Sequence, residues 1–212
     1  MEVLQEIASS LRNGDDQRTA QLTRQAIDDG VPAEEILNNG LMGGMKVVGE
    51  LFRDHEIFLP EVLLAARAMT AGVDLLKPLL AGGDVPTIGT VVIGTAKGDL
   101  HDIGKNLVGI MLTGAGFEVI DLGNDVAPER FVETAIAEEA PVIGMSALLT
   151  TTMTVMKQVV EMTRERGLSD QVKIIVGGAP VSAEFAGEIG ADAHGFDAAN
   201  AVDRVKMLVG KA

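Results

Sequence analysis

The sequence predicts an α/β chain in two parts, an N-terminal four-helix bundle over residues 1–85 and a C-terminal domain over 86–212 built on a five-stranded parallel sheet. Three observations carry that expectation. Apolar residues keep a spacing of three and four through residues 1–80. The segment Ala81-Gly82-Gly83-Asp84-Val85-Pro86 is small, turn-rich and closed by proline, which marks a linker. Beyond it, short apolar runs alternate with helical patterns, as in a parallel sheet covered by crossover helices on both faces.

Val3, Leu4, Ile7, Ala8 and Leu11 mark the first helix, and Leu22, Ala26 and Ile27 a second that ends at Gly30. Leu37, Leu41, Met45, Val48 and Phe52 mark a third, and Val62, Ala66, Met69, Val73, Leu76 and Leu80 a fourth. Asn13-Gly14-Asp15-Asp16 supplies turn and N-cap chemistry, while Pro32 and Pro60 sit where a first helical turn tolerates a missing N–H. Four short helices joined by short loops imply an antiparallel bundle. In the second part, strands are expected at residues 90–93, 117–120, 142–145, 172–176 and, more briefly, 191–195. Helices are expected at about 103–115, 127–138, 152–166 and 181–189, with a last one rich in Ala and Val. Gly94, Gly98, Gly144, Gly177, Gly178 and Gly195 end these strands or follow closely, at the carboxyl edge where open α/β sheets bind ligands. A large, flat ligand could lie there against bare backbone.

Composition removes several classes of function. With Cys 0 the chain has no disulfide, thiolate zinc site, cysteine-ligated iron–sulfur cluster or cysteine nucleophile. Its 212 residues carry Lys+Arg 17 against Asp+Glu 31, and the deficit is shared: seven against fourteen in residues 1–85, ten against seventeen afterwards. A net charge of -14 repels phosphate backbones and anionic lipid, so neither nucleic acid nor a membrane surface is an expected partner. The opening MEVLQEIASSLRNGDD lacks the basic start and apolar run of a secretory signal, and no apolar stretch approaches the length of a bilayer span, so the expected compartment is the cytoplasm.

The first strand runs into Gly94-Thr95-Ala96-Lys97-Gly98-Asp99-Leu100-His101-Asp102-Ile103-Gly104-Lys105-Asn106. As a P-loop it fails twice: five residues rather than four separate Gly98 from Gly104, and Asn106 stands where a Ser or Thr should hold magnesium. As a dinucleotide fingerprint it lacks glycine at the required first, third and sixth places. What remains is Asp-x-His-x-x-Gly at a strand-to-helix turn. A metal-bound histidine offers its second ring N–H to a carboxylate, and an Asp two residues earlier in an extended loop can receive it. The bland alternative is a structural histidine or a helix cap; His55 and His194 are read as surface or packing histidines.

Residues 94–108, GTAKGDLHDIGKNLV, resemble the cobalamin-binding loop of methionine synthase and of the corrinoid proteins of methyltransferase systems. The resemblance implies a flavodoxin-like, Rossmann-like cobalamin-binding domain that buries the nucleotide tail of cobalamin or a related corrinoid. Gly98, Asp99, Leu100, His101, Asp102, Ile103 and Gly104 would form its loop, with His101 as the lower ligand of cobalt and Asp99 as the partner of that histidine. Gly144-Met145-Ser146-Ala147-Leu148-Leu149-Thr150-Thr151-Thr152 is similar to the family's segment after the third strand, which places Ser146, Leu148 and Thr150 at the nucleotide. Where methionine synthase completes a His-Asp-Ser relay, this chain has Thr152, which keeps the hydroxyl and adds a methyl. Gly177 and Gly178 match the glycine pair that walls the tail, and Ala198 stands in a corresponding place after the fifth strand. In the bundle, residues 43–52 followed by Phe58-Leu59-Pro60-Glu61-Val62 look like the helical cap over the reactive face of cobalt, which implies a shielding role for Phe52, Leu59 and Val62.

The resemblance thus implies a methyl carrier subunit, not catalytic alone, in a multicomponent methyltransferase of anaerobic one-carbon metabolism. Cap and cobalamin domain account for nearly the whole chain and leave no room for a catalytic barrel of about 250 residues. Its partners would be a substrate:corrinoid methyltransferase, a methylcorrinoid:acceptor methyltransferase with tetrahydrofolate or a thiol coenzyme as acceptor, and a reductive activation protein. Two rivals remain: the cobalamin subunit of an adenosylcobalamin-dependent mutase, which shares the loop, and a cobalamin-sensing regulator lacking its DNA-binding module, which has a similar bundle and domain.

Overall fold

The computed structural model describes residues 2–80 and 87–210. The expected linker, residues 81–86, lies outside the described residues. The chain divides into a helical unit and an α/β unit.

The helical unit opens with α1 (Glu2–Arg12), whose Leu4, Ile7 and Leu11 are buried. The Asp15 carboxylate then accepts from Arg18 N–H at 2.9 Å and caps α2 (Asp16–Asp28). The third expected helix is not a single regular one. It consists of α3 (Ala33–Glu35), a π-helical segment Ile36–Met42, and α4 (Gly43–Arg53). The apolar residues Leu37, Leu41 and Met45 are spaced by four without the intervening three of a regular helix, and Asn38-Asn39-Gly40 are weak helix formers. A wider turn keeps Leu37 and Leu41 inside together with Met45 and Val48. The Glu61 carboxylate accepts from Phe58 N–H at 3.0 Å and starts α5 (Leu59–Leu76). Pro78 cannot donate into an α-helical ladder, so the last turn, Lys77–Leu79, tightens to a 3-10 helix short of the expected end at Leu80. α2 and α5 pack along each other, and α1 packs on both α2 and α4.

The α/β unit alternates β1 (Thr90–Thr95), α6 (Ile103–Gly114), β2 (Glu118–Asp121), α7 (Pro128–Ala137), β3 (Val142–Ser146), α8 (Met153–Glu165), β4 (Lys173–Gly177), α9 (Ala183–Ile189), β5 (Ala193–Gly195) and α10 (Ala198–Leu208). All strand pairs are parallel, in the order β2-β1-β3-β4-β5. One sheet face, carrying Val92, Ile143, Met145, Ile174 and Val176, shares a core with Phe131, Val132 and Ala135 of α7 and Met156 and Val159 of α8. α10 packs on β4 and β5. The chain leaves β1 outward to β2 and returns on the other side to β3. The carboxyl ends of β1 and β3 therefore flank the point where strand order reverses and where ligands enter such sheets.

An ion pair ties α6 to the end of β2. The Lys105 ammonium, on a side chain only 4% exposed, lies 2.5 Å from Asp121 Oδ2 and 2.6 Å from Asn106 Oδ1. Asp121 Oδ1 accepts from Gly123 N–H at 2.8 Å, which carries the tie into the next loop. The two ends of this pair differ in solvent, since the Asp121 side chain is 42% exposed. Asp121→Ala strands a buried ammonium and is expected to cost about 2–3 kcal/mol, whereas Lys105→Met leaves a carboxylate that water can reach and costs about 1 kcal/mol. Urea unfolding of both variants checks the ordering; equal losses contradict it.

Candidate functional site

The loop joining β1 to α6, residues 96–102, carries Asp99 and His101. Asp99 is completely buried, yet it is acidic, so its position depends on the donors around it. Its Oδ1 accepts from His101 N–H at 3.1 Å and lies 2.7 Å from His101 Nδ1. Its Oδ2 accepts from the N–H groups of Leu148 at 2.7 Å and Leu149 at 3.1 Å, with the Thr152 hydroxyl at 3.0 Å. Burial by itself pushes the Asp99 carboxyl up. The donors outweigh it, led by Leu148 N–H and followed by the His101 ring, the His101 N–H and the Thr152 hydroxyl, and hold the carboxyl well below the usual carboxylate range.

An ionised carboxylate only accepts, so Nδ1 of His101 must carry a proton. In the neutral ring Nε2 then keeps its lone pair, and the His101 side chain is 54% exposed at the sheet's carboxyl edge. The Thr152 hydroxyl has a second acceptor, the Leu149 carbonyl at 2.8 Å, and its single proton serves one of the two at a time. The methyl that distinguishes Thr152 from serine lies beside Gly98, where a Cβ would stand 3.4 Å from it.

Other expected residues gather at the same edge. Ser146 ends β3, and its carbonyl accepts from Ala96 N–H at 2.9 Å. Thr150 is exposed in the loop after β3, and Asp102 and Gly104 flank the start of α6. Gly177 ends β4, and Gly178 follows at φ 125, where any side chain would collide with the Ala147 carbonyl oxygen. Bare backbone is therefore obligatory between the β3 and β4 loops. Ala198 is buried at the start of α10, under an Asp197 cap that accepts from Asn200 N–H at 2.7 Å. In the helical unit, Phe52 and Leu59 are half-buried, whereas Val62 is fully buried among the bundle helices. His194 is a packing histidine, with Nε2 2.9 Å from the Val181 carbonyl.

Sequence reasoning missed two residues that the structure adds to the site, Leu149 and Asp125, and an exposed aromatic farther along the same sheet edge, Phe196. Leu149 is the second backbone donor to Asp99. Phe196, directly after β5, is 70% exposed, as are Leu100 and Ile103, with Leu148 and Leu149 at 42% and 41%. An aromatic following a strand that ends in glycine was the available signal. Asp125 ties the β2–α7 loop to the histidine loop and was hidden in an ordinary-looking Gly-Asn-Asp turn. Exposed apolar side chains along the sheet's carboxyl edge, beside one exposed ring nitrogen, suit a broad, flat group that carries a metal, and a Cβ on Gly104 would meet nothing within 4 Å, which leaves room beside the loop.

The depressed Asp99 pKa links stability to pH. Its stabilisation is fully present above the ordinary carboxylate pKa of about 3.9 and is lost as pH falls below that towards the folded value. Urea midpoints of the parent are expected to drop on acidification below about pH 4, and Asp99→Asn, less stable near neutrality, is expected to drop less over the same range. Parallel pH profiles for the two proteins contradict the assignment.

Two family models, each described as a B12 binding domain, match residues 89–205 and 3–77. A corrinoid protein of Desulfitobacterium hafniense is 41% identical over 214 residues, covering 100% of this chain and 99% of the relative. Dimethylamine corrinoid protein 1 of Methanosarcina mazei is 44% identical over 212 residues, covering 99% of this chain and 98% of the relative. Among solved structures, the methanol:cobalamin methyltransferase complex of Methanosarcina barkeri superposes with a TM-score of 0.91 at 33% identity, over 100% of this chain and 81% of that one. The matches run through both units, and on them the chain belongs to the corrinoid proteins of methyltransferase systems, with B12-binding domains.

Proposed function

We propose that this chain carries a methyl group on a bound corrinoid between two methyltransferases. One observation carries the reading: a buried, ionised Asp99 holds the His101 ring so that Nε2 alone is free at the ligand edge of the sheet. When bound, the corrinoid supplies a cobalt that takes up a methyl group from one reactant and yields it to another. His101 would hold the cobalt through Nε2, and Asp99 fixes the ring's tautomer and direction. Asp99 stays an acceptor at Nδ1 throughout, which keeps Nε2 as the ring position that can exchange partners. The Thr152 hydroxyl supports Asp99 and has the Leu149 carbonyl as its alternative acceptor.

Residues 86–212 serve as the binding domain in this reading, with the nucleotide tail against Ser146, Leu148, Thr150, Gly177, Gly178 and Ala198. Residues 1–85 serve as its cap. Phe52 and Leu59 keep exposed apolar surface for shielding, and Val62, fully buried, supports them by packing. The partner that loads the methyl group is a substrate:corrinoid methyltransferase, in line with the solved complex. The second methyltransferase, with tetrahydrofolate or a thiol coenzyme as acceptor, and a reductive activation protein complete the system, in the cytoplasm. Choice of donor belongs to the first partner, since the residues assembled here address the corrinoid rather than a small methylated compound.

Reconstitution with hydroxocobalamin and reduction to the Co(II) form tests the ligand. Electron paramagnetic resonance of the parent is expected to show nitrogen superhyperfine splitting that changes when histidine is 15N-labelled, and His101→Ala to show no isotope effect. An isotope effect that survives in His101→Ala, or is absent from the parent, contradicts the reading. In the methylcobalamin-loaded protein, Phe52→Ala is expected to speed photolysis with folding retained, and unchanged photolysis with weakened folding assigns Phe52 to the bundle core instead.

A further inference from the structure

The histidine loop is not held by packing. Leu100 and Ile103 are each 70% exposed, so the chain between β1 and α6 buries little apolar surface of its own around His101. Its position is set by hydrogen bonds from three sides. From β1, the Thr95 hydroxyl donates to the His101 carbonyl at 3.0 Å. From the β3 loop come the donors to Asp99. The third side is the β2–α7 loop. Gly98 N–H donates to Asp125 Oδ1 at 2.8 Å, Asp125 N–H donates to the Asp99 carbonyl at 3.0 Å, and Asn124 Nδ2 reaches the Leu100 carbonyl at 3.4 Å.

Asp125 makes both of its bonds from a backbone that L-residues rarely adopt, at φ 54, facing Gly98 at φ 86. A non-glycine residue persists there only when its surroundings over-determine it, and such outliers gather at functional sites. Relaxing Asp125 would swing either its carboxylate or its N–H away from the loop. The loop that holds Asp125 is itself anchored at its start, through Asp121 to the buried Lys105 and through Thr95 N–H to the Gly123 carbonyl at 2.9 Å.

Resting on the corrinoid reading above, we propose that Asp125 is a positioning residue for the lower ligand. Its carboxylate and N–H clamp residues 98–99, and so set the height and direction at which Asp99 presents the His101 ring. The clamp acts through the loop backbone and touches neither the ring nor the metal group.

Three variants separate the carboxylate from the backbone. Asp125→Gly keeps the left-handed conformation and the N–H but removes the acceptor; Asp125→Asn keeps an acceptor oxygen; Asp125→Ser keeps a shorter one. In the corrinoid-free protein, amide hydrogen exchange at Gly98 is expected to quicken about tenfold or more in Asp125→Gly and to stay near the parent rate in Asp125→Asn. In the hydroxocobalamin-loaded, reduced protein, the fraction of Co(II) with a histidine nitrogen ligand is expected to fall several-fold in Asp125→Gly. It should be restored in Asp125→Asn, and Asp125→Ser should be intermediate, which also serves if the glycine variant does not fold. Parent-like exchange and histidine ligation in Asp125→Gly overturn the proposal, as does an equal loss in Asp125→Asn. If the parent itself shows no histidine ligation, the corrinoid reading fails first, and the two failures are thereby told apart.

Discussion

The Asp99 carboxylate is shut off from water in the α/β unit and receives two donors on one oxygen and three on the other. A charge in that position is tolerable only because every side of it is answered, and each answering group is thereby fixed in space. The N–H groups of Leu148 and Leu149 fix the loop after β3, the hydroxyl of Thr152 fixes the entry to α8, and the ring and N–H of His101 fix the loop after β1. The sheet makes this convergence available. Because strand order reverses between β1 and β3, the two loops that must meet at Asp99 leave the sheet side by side.

Around that anion the remaining features divide between rigidity and access. Buried strands, Phe131 of α7 in the core shared by the sheet and α8, and the Lys105–Asp121 pair make a stiff base. Above it, Leu100, Ile103, Leu148, Leu149 and Phe196 keep their apolar surface uncovered, and Gly178 keeps the floor free of side chains. A protein whose chemistry resides in a bound group needs this division: the chain orients one ring nitrogen and offers a surface for the rest. In the helical unit, burial likewise separates Val62, which packs, from Phe52 and Leu59, which retain surface.

Much of this was readable before any coordinates. Period-four and period-three apolar spacing marked the bundle, runs apolar on both faces marked a buried parallel sheet, and Asp-x-His at a strand-to-helix turn marked the loop in which Asp99 and His101 are hydrogen-bonded. What stayed hidden had physical causes. The π-helical stretch at Ile36–Met42 differs from a regular helix by one residue in the span of each hydrogen bond, which Leu37, Leu41 and Met45 hint at but do not demand. Leu149 acts through its N–H, to which its side chain is irrelevant. Asp125 acts across 27 residues of sequence from a left-handed turn, and nothing local distinguishes it from a solvated loop aspartate. Backbone donors and long-range ties leave little mark on composition or period.

Asp99 fixes the protonation pattern of His101, leaving Nε2 without a proton. Nitrogen NMR of 15N-histidine-labelled, corrinoid-free protein at pH 8 tests it most directly, with His101→Ala to assign the resonances. A protonated Nδ1 beside an unprotonated Nε2 on His101, lost or averaged in Asp99→Ala, is the predicted result. A proton on Nε2, or a ring exchanging freely between tautomers in the parent, would contradict it.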